Sequence, residues 1–127
     1  MTQDKKDLLL KDLCARLPYG VIVETPKGKG HVCDINLTIF GTEVGVNINA
    51  TSRDKFNIED IKPYLIPLSS MTDKQKEEEK HLKEELYSFD ANGNVFTLQD
   101  FYNKNHIDFR GLIPMDLAID ATGLNIY

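Results

Sequence analysis

Val21-Ile22-Val23-Glu24-Thr25-Pro26-Lys27-Gly28-Lys29-Gly30-His31-Val32-Cys33-Asp34-Ile35-Asn36-Leu37-Thr38-Ile39-Phe40-Gly41-Thr42-Glu43-Val44-Gly45-Val46-Asn47-Ile48-Asn49 carries most of the strand signal in the chain. Val21, Val23, Val32, Ile35, Ile39, Val44, Val46 and Ile48 are β-branched, a side-chain type that packs well on a pleated surface. Turn residues interrupt the pattern at Pro26 to Gly30 and near Gly41-Thr42. Three antiparallel strands over residues 19–49 are the economical reading.

Before this stretch, Leu9 with Leu13, and Leu10 with Leu13 and Leu17, follow helical spacing from Asp4 to Leu17, and Pro18 ends the pattern. The helix should lay these leucines on a sheet face bearing Val21, Val23, Val32, Val44 and Val46. Lys5, Asp12 and Arg16 fall on its opposite face and are expected in water. Cys14 lies within the leucine face and Cys33 within a strand, so both are expected as small core hydrophobes. After the strands, Phe56 to Leu68 supplies a fourth strand or a short helix around Ile58 and Ile61. Pro63 and Pro67 would keep it at a sheet edge or outside the sheet.

Thr72-x-x-Gln75 is a capping box that opens a helix over about Asp73 to Tyr87. Glu79 and Lys83 stand in the favoured acid-then-base i,i+4 order, and Leu82 with Leu86 forms a narrow apolar stripe near the end. This is the pattern of a solvated helix docked by its last turns, with a partner-binding helix as the alternative. Asn92-Gly93 between Phe89 and Val95 signals a turn, and Thr97-x-x-Asp100 caps a short helix carrying Leu98, Phe101 and Tyr102.

The predicted fold class is therefore α+β: an N-terminal helix packed on a small antiparallel β meander, which could curl toward an SH3-like barrel, then a polar helix and a short helical C-terminal unit. With 127 residues, 41% hydrophobic and 28% charged, the chain has the size of one domain, 1–127. Within it, 1–71 forms the helix and meander and 72–127 an acidic helical part. Lys/Arg and Asp/Glu balance in the first part, so the net charge of −5 sits wholly in the second. An acidic chain lacks the basic surface that non-specific nucleic-acid binding requires. No apolar run exceeds three residues, which argues against a membrane span, and no apolar segment follows Asp4 and Asp7 to make a signal peptide. Two cysteines and three scattered histidines suggest neither a disulfide framework nor a metal site. A cytoplasmic protein without metal or cofactor is expected.

Several constellations resemble chemistry. Asp90, Asn92 and Asn94 match the first oxygen positions of an EF-hand loop, but Val95 replaces the required glycine and Phe101 the closing glutamate. A plain turn is the better reading. Ser69-Ser70 lacks the flanking glycines of a nucleophile elbow, so no hydrolase signature survives and no enzyme is predicted. His106, Asp108 and Arg110 alternate with Ile107 and Phe109, so an extended segment would place the three polar groups on one face. They could bind an anion there. In the simpler alternative, Asp108 and Arg110 pair at the core margin while His106 ends the preceding helix. Finally, Lys27, Gly28, Lys29, Gly30 and His31 combine anion-attracting lysines with glycines that allow close backbone approach. In a meander the first and third connections share one end, bringing Arg53 and Lys55 to the same rim. The simpler reading is a solvated hairpin tip.

Three stretches, Leu13-Cys14-Ala15-Arg16-Leu17-Pro18-Tyr19-Gly20, Ile61-Lys62-Pro63-Tyr64-Leu65-Ile66-Pro67-Leu68-Ser69-Ser70-Met71-Thr72 and Asn103-Lys104-Asn105-His106-Ile107-Asp108-Phe109-Arg110-Gly111-Leu112-Ile113, resemble a family of short uncharacterised proteins of intestinal anaerobic bacteria and their phages. That family has no established activity to carry over. The resemblance implies a phage or mobile-element setting, in which small accessory proteins sequester signalling nucleotides or inhibit host proteins. The expected function is thus a non-enzymatic accessory binding protein that sequesters a small anionic, nucleotide-type ligand at the Lys27–Arg53 rim. Arg110 would complete the site by folding back or from a second copy in a homo-oligomer. The alternative is a protein-interaction module or host-protein inhibitor acting through the acidic helix 73–87.

Overall fold

Thr2 starts the first helix by accepting a hydrogen bond from the Lys5 amide. The computed structural model describes residues 1–49 and 52–127. Helix α1 spans Gln3–Arg16 and passes into a single 3-10 turn, Leu17–Tyr19, closed by Gly20 in the left-handed conformation. The meander follows as β1 (Ile22–Thr25), β2 (Gly28–Thr38), β3 (Gly41–Asn49) and β4 (Ser52–Asn57), each antiparallel to the last. Pro26-Lys27 makes the first turn. Ile39-Phe40 makes the second, just ahead of the Gly41-Thr42 break marked by the sequence. Ile39 therefore stands at a turn, not in the core. It is 94% exposed, and its neighbours Leu37 and Phe40 are exposed with it.

Residues 56–68 form neither a strand nor a helix alone but both in succession. A 3-10 turn at Ile58–Asp60 buries Ile58, and β5 (Lys62–Pro67) comes after it. Contrary to the expectation from its two prolines, β5 lies inside the sheet, whose order is β4-β3-β2-β1-β5-β8 with β9 also on β5. Its neighbours take it in turn, two residues each. Lys62 and Pro63 face β1. Tyr64 and Leu65 face β9 (Ile119–Asp120), and Ile66 and Pro67 face β8 (Ile107–Asp108), both in parallel. Each proline thus meets a ladder on one side only, so a missing N–H interrupts no continuous pairing.

The C-terminal part begins at the Thr72/Gln75 capping box, present as read from the sequence, which opens α2 (Asp73–Glu85). The helix stops two residues early because Leu86 takes a positive φ of 66°. Leu82 is buried, but Leu86 points to solvent and does not extend the apolar stripe. Strands β6 (Tyr87–Phe89) and β7 (Val95–Thr97) make the hairpin signalled by Asn92-Gly93, and the second capping box opens α3 (Leu98–Lys104). Both Asp90 functions are turn functions. Its carboxylate accepts the Asn92 and Asn94 amides at 2.9 Å, and those bonds hold it below the usual carboxylate range.

Two apolar clusters organise the molecule. Leu9 and Leu13 of α1 pack with Val21, Val23, Val32, Val44, Val46, Ile58, Ile61 and Leu65, with Leu10 and Leu17 partly buried against them. Met71, Leu82, Phe101, Tyr102 and Ile107 form the second cluster. Cys14 and Cys33 belong to neither. Both are exposed, since Cys14 lies off the Leu9–Leu13 line and Cys33 points away from the core between Val32 and the register shift that follows it. Among the described residues, no helix is long and apolar enough to cross a membrane.

Candidate functional site

The meander does bring the predicted rim together. The turn joining β1 to β2, the end of β3 and the start of β4 lie at one end, and His31, Asn47 and Arg53 stand opposite one another on three successive strands. Carboxylates stand among the bases, however. Lys27 Nζ lies 3.7 Å from Asp54. Arg53 donates through Nε to Asp34 at 2.6 Å and through Nη2 to its other oxygen, and this pairing holds the Asp34 carboxyl below its usual range. Lys29 Nζ sits 5.3 Å from the centre of the Tyr64 ring, whose hydroxyl donates to Glu24 at 2.6 Å. Lys55 stands opposite Gly45, and His31 is exposed.

The glycines have structural reasons to be bare. A Cβ on Gly30 would lie 2.6 Å from Val46 Cγ1 and 2.7 Å from the Asn47 carbonyl oxygen, so Gly30 is set by strand packing in the core. Gly28, with φ of 120°, closes the Pro26-Lys27 turn. Gly45 lies beneath the Arg53–Asp34 pair, within 2.5 Å of both side chains had it a Cβ.

His106, Asp108 and Arg110 do not share a face. His106 has a φ of 58°, so the extended alternation begins only after it. Asp108 is buried and accepts the Leu112 and Ile113 amides at 2.8 and 2.9 Å. It does not pair with Arg110, which donates instead to Asp12 at 2.7 Å and lies 4.2 Å from the centre of the Phe109 ring.

Asp12 and Arg16 overturn the expectation of a solvated helix face, since only Lys5 of the three is in water. Both are fully buried. Arg16 donates to Asp12 at 2.9 Å and to the carbonyls of Ile107, at 2.6 Å, and Tyr102, at 3.4 Å. One carboxylate thus holds two guanidiniums, and Arg16 carries a charged donor to two backbone oxygens of the C-terminal unit, one of which, that of Ile107, also accepts the Phe109 amide at 3.0 Å. This is a staple between the two parts of the chain. The only sequence trace of it was the i,i+4 order of Asp12 and Arg16.

Around His106 lies the largest depression among those described, about 440 Å³. Ser70, Gln75, Lys104, Asn105 and His106 contribute polar groups to its lining, with the Tyr127 ring as a wall and no carboxylate present. The Tyr127 and His106 rings are stacked with centroids 3.6 Å apart, and the Tyr127 hydroxyl donates to the Tyr64 carbonyl at 2.7 Å. Burial, then the nearby Arg16 charge, pushes the His106 imidazole down to about 4, so it is neutral near pH 7.

A different surface forms on the C-terminal part. Tyr87, Phe89 and Val95 share the outward face of the β6–β7 hairpin, and with Leu86 they are between 52% and 76% exposed. The inward face carries Phe96, packed on the second apolar cluster. Glu84 and Glu85 stand exposed immediately beside Leu86, and Glu78 borders the neighbouring groove with Phe89 and Asp90. None of these three glutamates makes an ion pair among those described, whereas Glu79 holds Lys83 at 3.4 Å.

No family model, curated protein or solved structure matches the chain.

Proposed function

We propose that this is a non-enzymatic binding module, an accessory factor of the kind implied by the sequence resemblance, acting in the cytoplasm on a partner protein. The partner presents a basic segment with apolar side chains, and it docks on the hairpin face and the end of α2. The observation that carries this reading is the apolar surface of Leu86, Tyr87, Phe89 and Val95 beside unpaired Glu84 and Glu85. An exposed apolar patch rimmed by polar groups is the physical mark of an interaction site, and unpaired glutamates on its rim favour a partner of the opposite charge. The Lys27–Arg53 rim supports the anion-sequestration reading less well, because Asp34 and Asp54 already compensate two of its cations.

The test uses a synthetic amphipathic peptide of lysine and leucine, measured by calorimetry against the full chain. Binding should weaken as salt rises and be lost both in Tyr87→Ser/Phe89→Ser and in Glu84→Lys/Glu85→Lys, while an all-lysine peptide binds poorly. Equal binding to the wild type and both variants would overturn the proposal. So would a concentration-dependent dimer abolished by Tyr87→Ser/Phe89→Ser, which would assign the face to a second copy.

A further inference from the structure

We propose that the cleft beside His106 binds a compact organic anion, a molecule carrying a carboxylate or phosphate monoester, with Lys104 as its counter-charge. The site adjoins the docking face, and Lys104 stands between the two. In a chain of net charge −5, this depression has a lysine and no carboxylate in its lining, so its local sign opposes that of the protein as a whole. Lys104 is exposed, makes no ion pair among those described, and lines both this cleft and the groove holding Glu78 and Asp90, its ammonium resting 5.6 Å from the centre of the Phe96 ring at the border of the two. Ser70 and the amides of Gln75 and Asn105 supply neutral donors on the opposite walls. The Gln75 amide reaches Asn105 only at 3.5 Å, a contact weak enough to yield to a better acceptor.

Size and burial agree with a small molecule. A volume of about 440 Å³ falls within the range of small-ligand clefts and well beyond that of a single ion. His106 is 8% exposed, and its Nδ1 is a buried side-chain nitrogen without a hydrogen-bond partner. Buried polar atoms are ordinarily paired, and this unpaired nitrogen belongs to a residue that lines the cleft. The Tyr127 ring gives the non-ionic part of such a molecule an aromatic surface to lie on.

The experiment is an amide chemical-shift titration of the full chain with adenosine monophosphate, benzoate and inorganic phosphate as probes. Saturable shifts confined to residues 70, 75, 104–106 and 127 are expected from adenosine monophosphate or benzoate. Which of the two binds more tightly assigns phosphate or carboxylate, and inorganic phosphate, lacking the organic part, should bind more weakly. Lys104→Gln should weaken binding by about tenfold, the equivalent of one charge-assisted contact. Lys27→Gln/Arg53→Gln should change nothing. Shifts centred on Lys27, Lys29 and Arg53, loss of binding in that double variant, or no saturable shift with any probe would each overturn the assignment.

Discussion

Replacing Asp12 by alanine removes the one carboxylate that serves both Arg16 and Arg110. In the folded protein Asp12 and Arg16 are wholly buried and the Arg110 side chain is 10% exposed. The variant therefore leaves the buried Arg16 Nε without its acceptor and Arg110 Nη1 with only the 3.5 Å contact to Asn103 Oδ1. Removing one partner from such a buried pair costs about 3 to 5 kcal/mol, whereas a change on a solvated helix face stays within about ±0.5 kcal/mol. The two outcomes are easily separated. With a urea dependence of about 2 kcal/mol per molar, the unfolding midpoint should fall by roughly 2 M. Arg16→Met should also be damaging, because it removes a charged donor from the Tyr102 and Ile107 carbonyls, of which Ile107 keeps only the Phe109 amide at 3.0 Å. The Asp12→Ala/Arg16→Met double variant should cost clearly less than the sum of the singles. An Asp12→Ala midpoint within a few tenths of a molar of wild type would refute the staple and return this face of α1 to solvent.

Stability should decline as the pH falls from about 6.5 to about 4 because of His106. Its folded-state value is depressed to about 4 and its unfolded value is about 6.5, so between these limits only the unfolded chain takes up the proton. That loss amounts to about 3 kcal/mol in all, is complete below about pH 4, and should be absent in His106→Asn when unfolding is followed across pH. Carboxylates held low, such as Asp34, lose their contribution only below about pH 4. Gly30→Ala should cost about 1 to 3 kcal/mol or more, since the added methyl meets a core valine and a backbone oxygen, whereas Gly45→Ala displaces only flexible side-chain ends and should cost less in the same unfolding assay. Leu13→Ala should cost about 2 to 5 kcal/mol, and a near-neutral midpoint would remove α1 from the core.

What could be read from the chain was local. Both capping boxes and the Asn92-Gly93 turn depend on residues within a few positions, and the β-branched alternation of residues 21–49 registers directly as strands. The interior position of β5 was illegible because β8 and β9 are two residues long and show no period. The burial of Asp12 and Arg16 was hidden for a related reason. Their other partners, the Tyr102 and Ile107 carbonyls and Arg110, lie 86 to 98 residues away. Topology correctly placed Lys27 and Arg53 at one end. The register shift between Val32 and Asp34, which helps to set Asp34 beside Arg53, could not be seen.

The sharing of β5 among three short neighbours has a consequence for synthesis. When the meander has left the ribosome, β5 has β1 beside only Lys62 and Pro63 and still awaits β8 and β9, the latter about 50 residues further along the chain, an interval of about 3 to 10 seconds at ordinary elongation rates. During that time the strand is a true edge, open to pairing with a neighbouring nascent chain. Pro63 and Pro67, which withdraw two donors from a six-residue strand, act at that moment as guards against such pairing. They protect an edge that exists only in the unfinished protein.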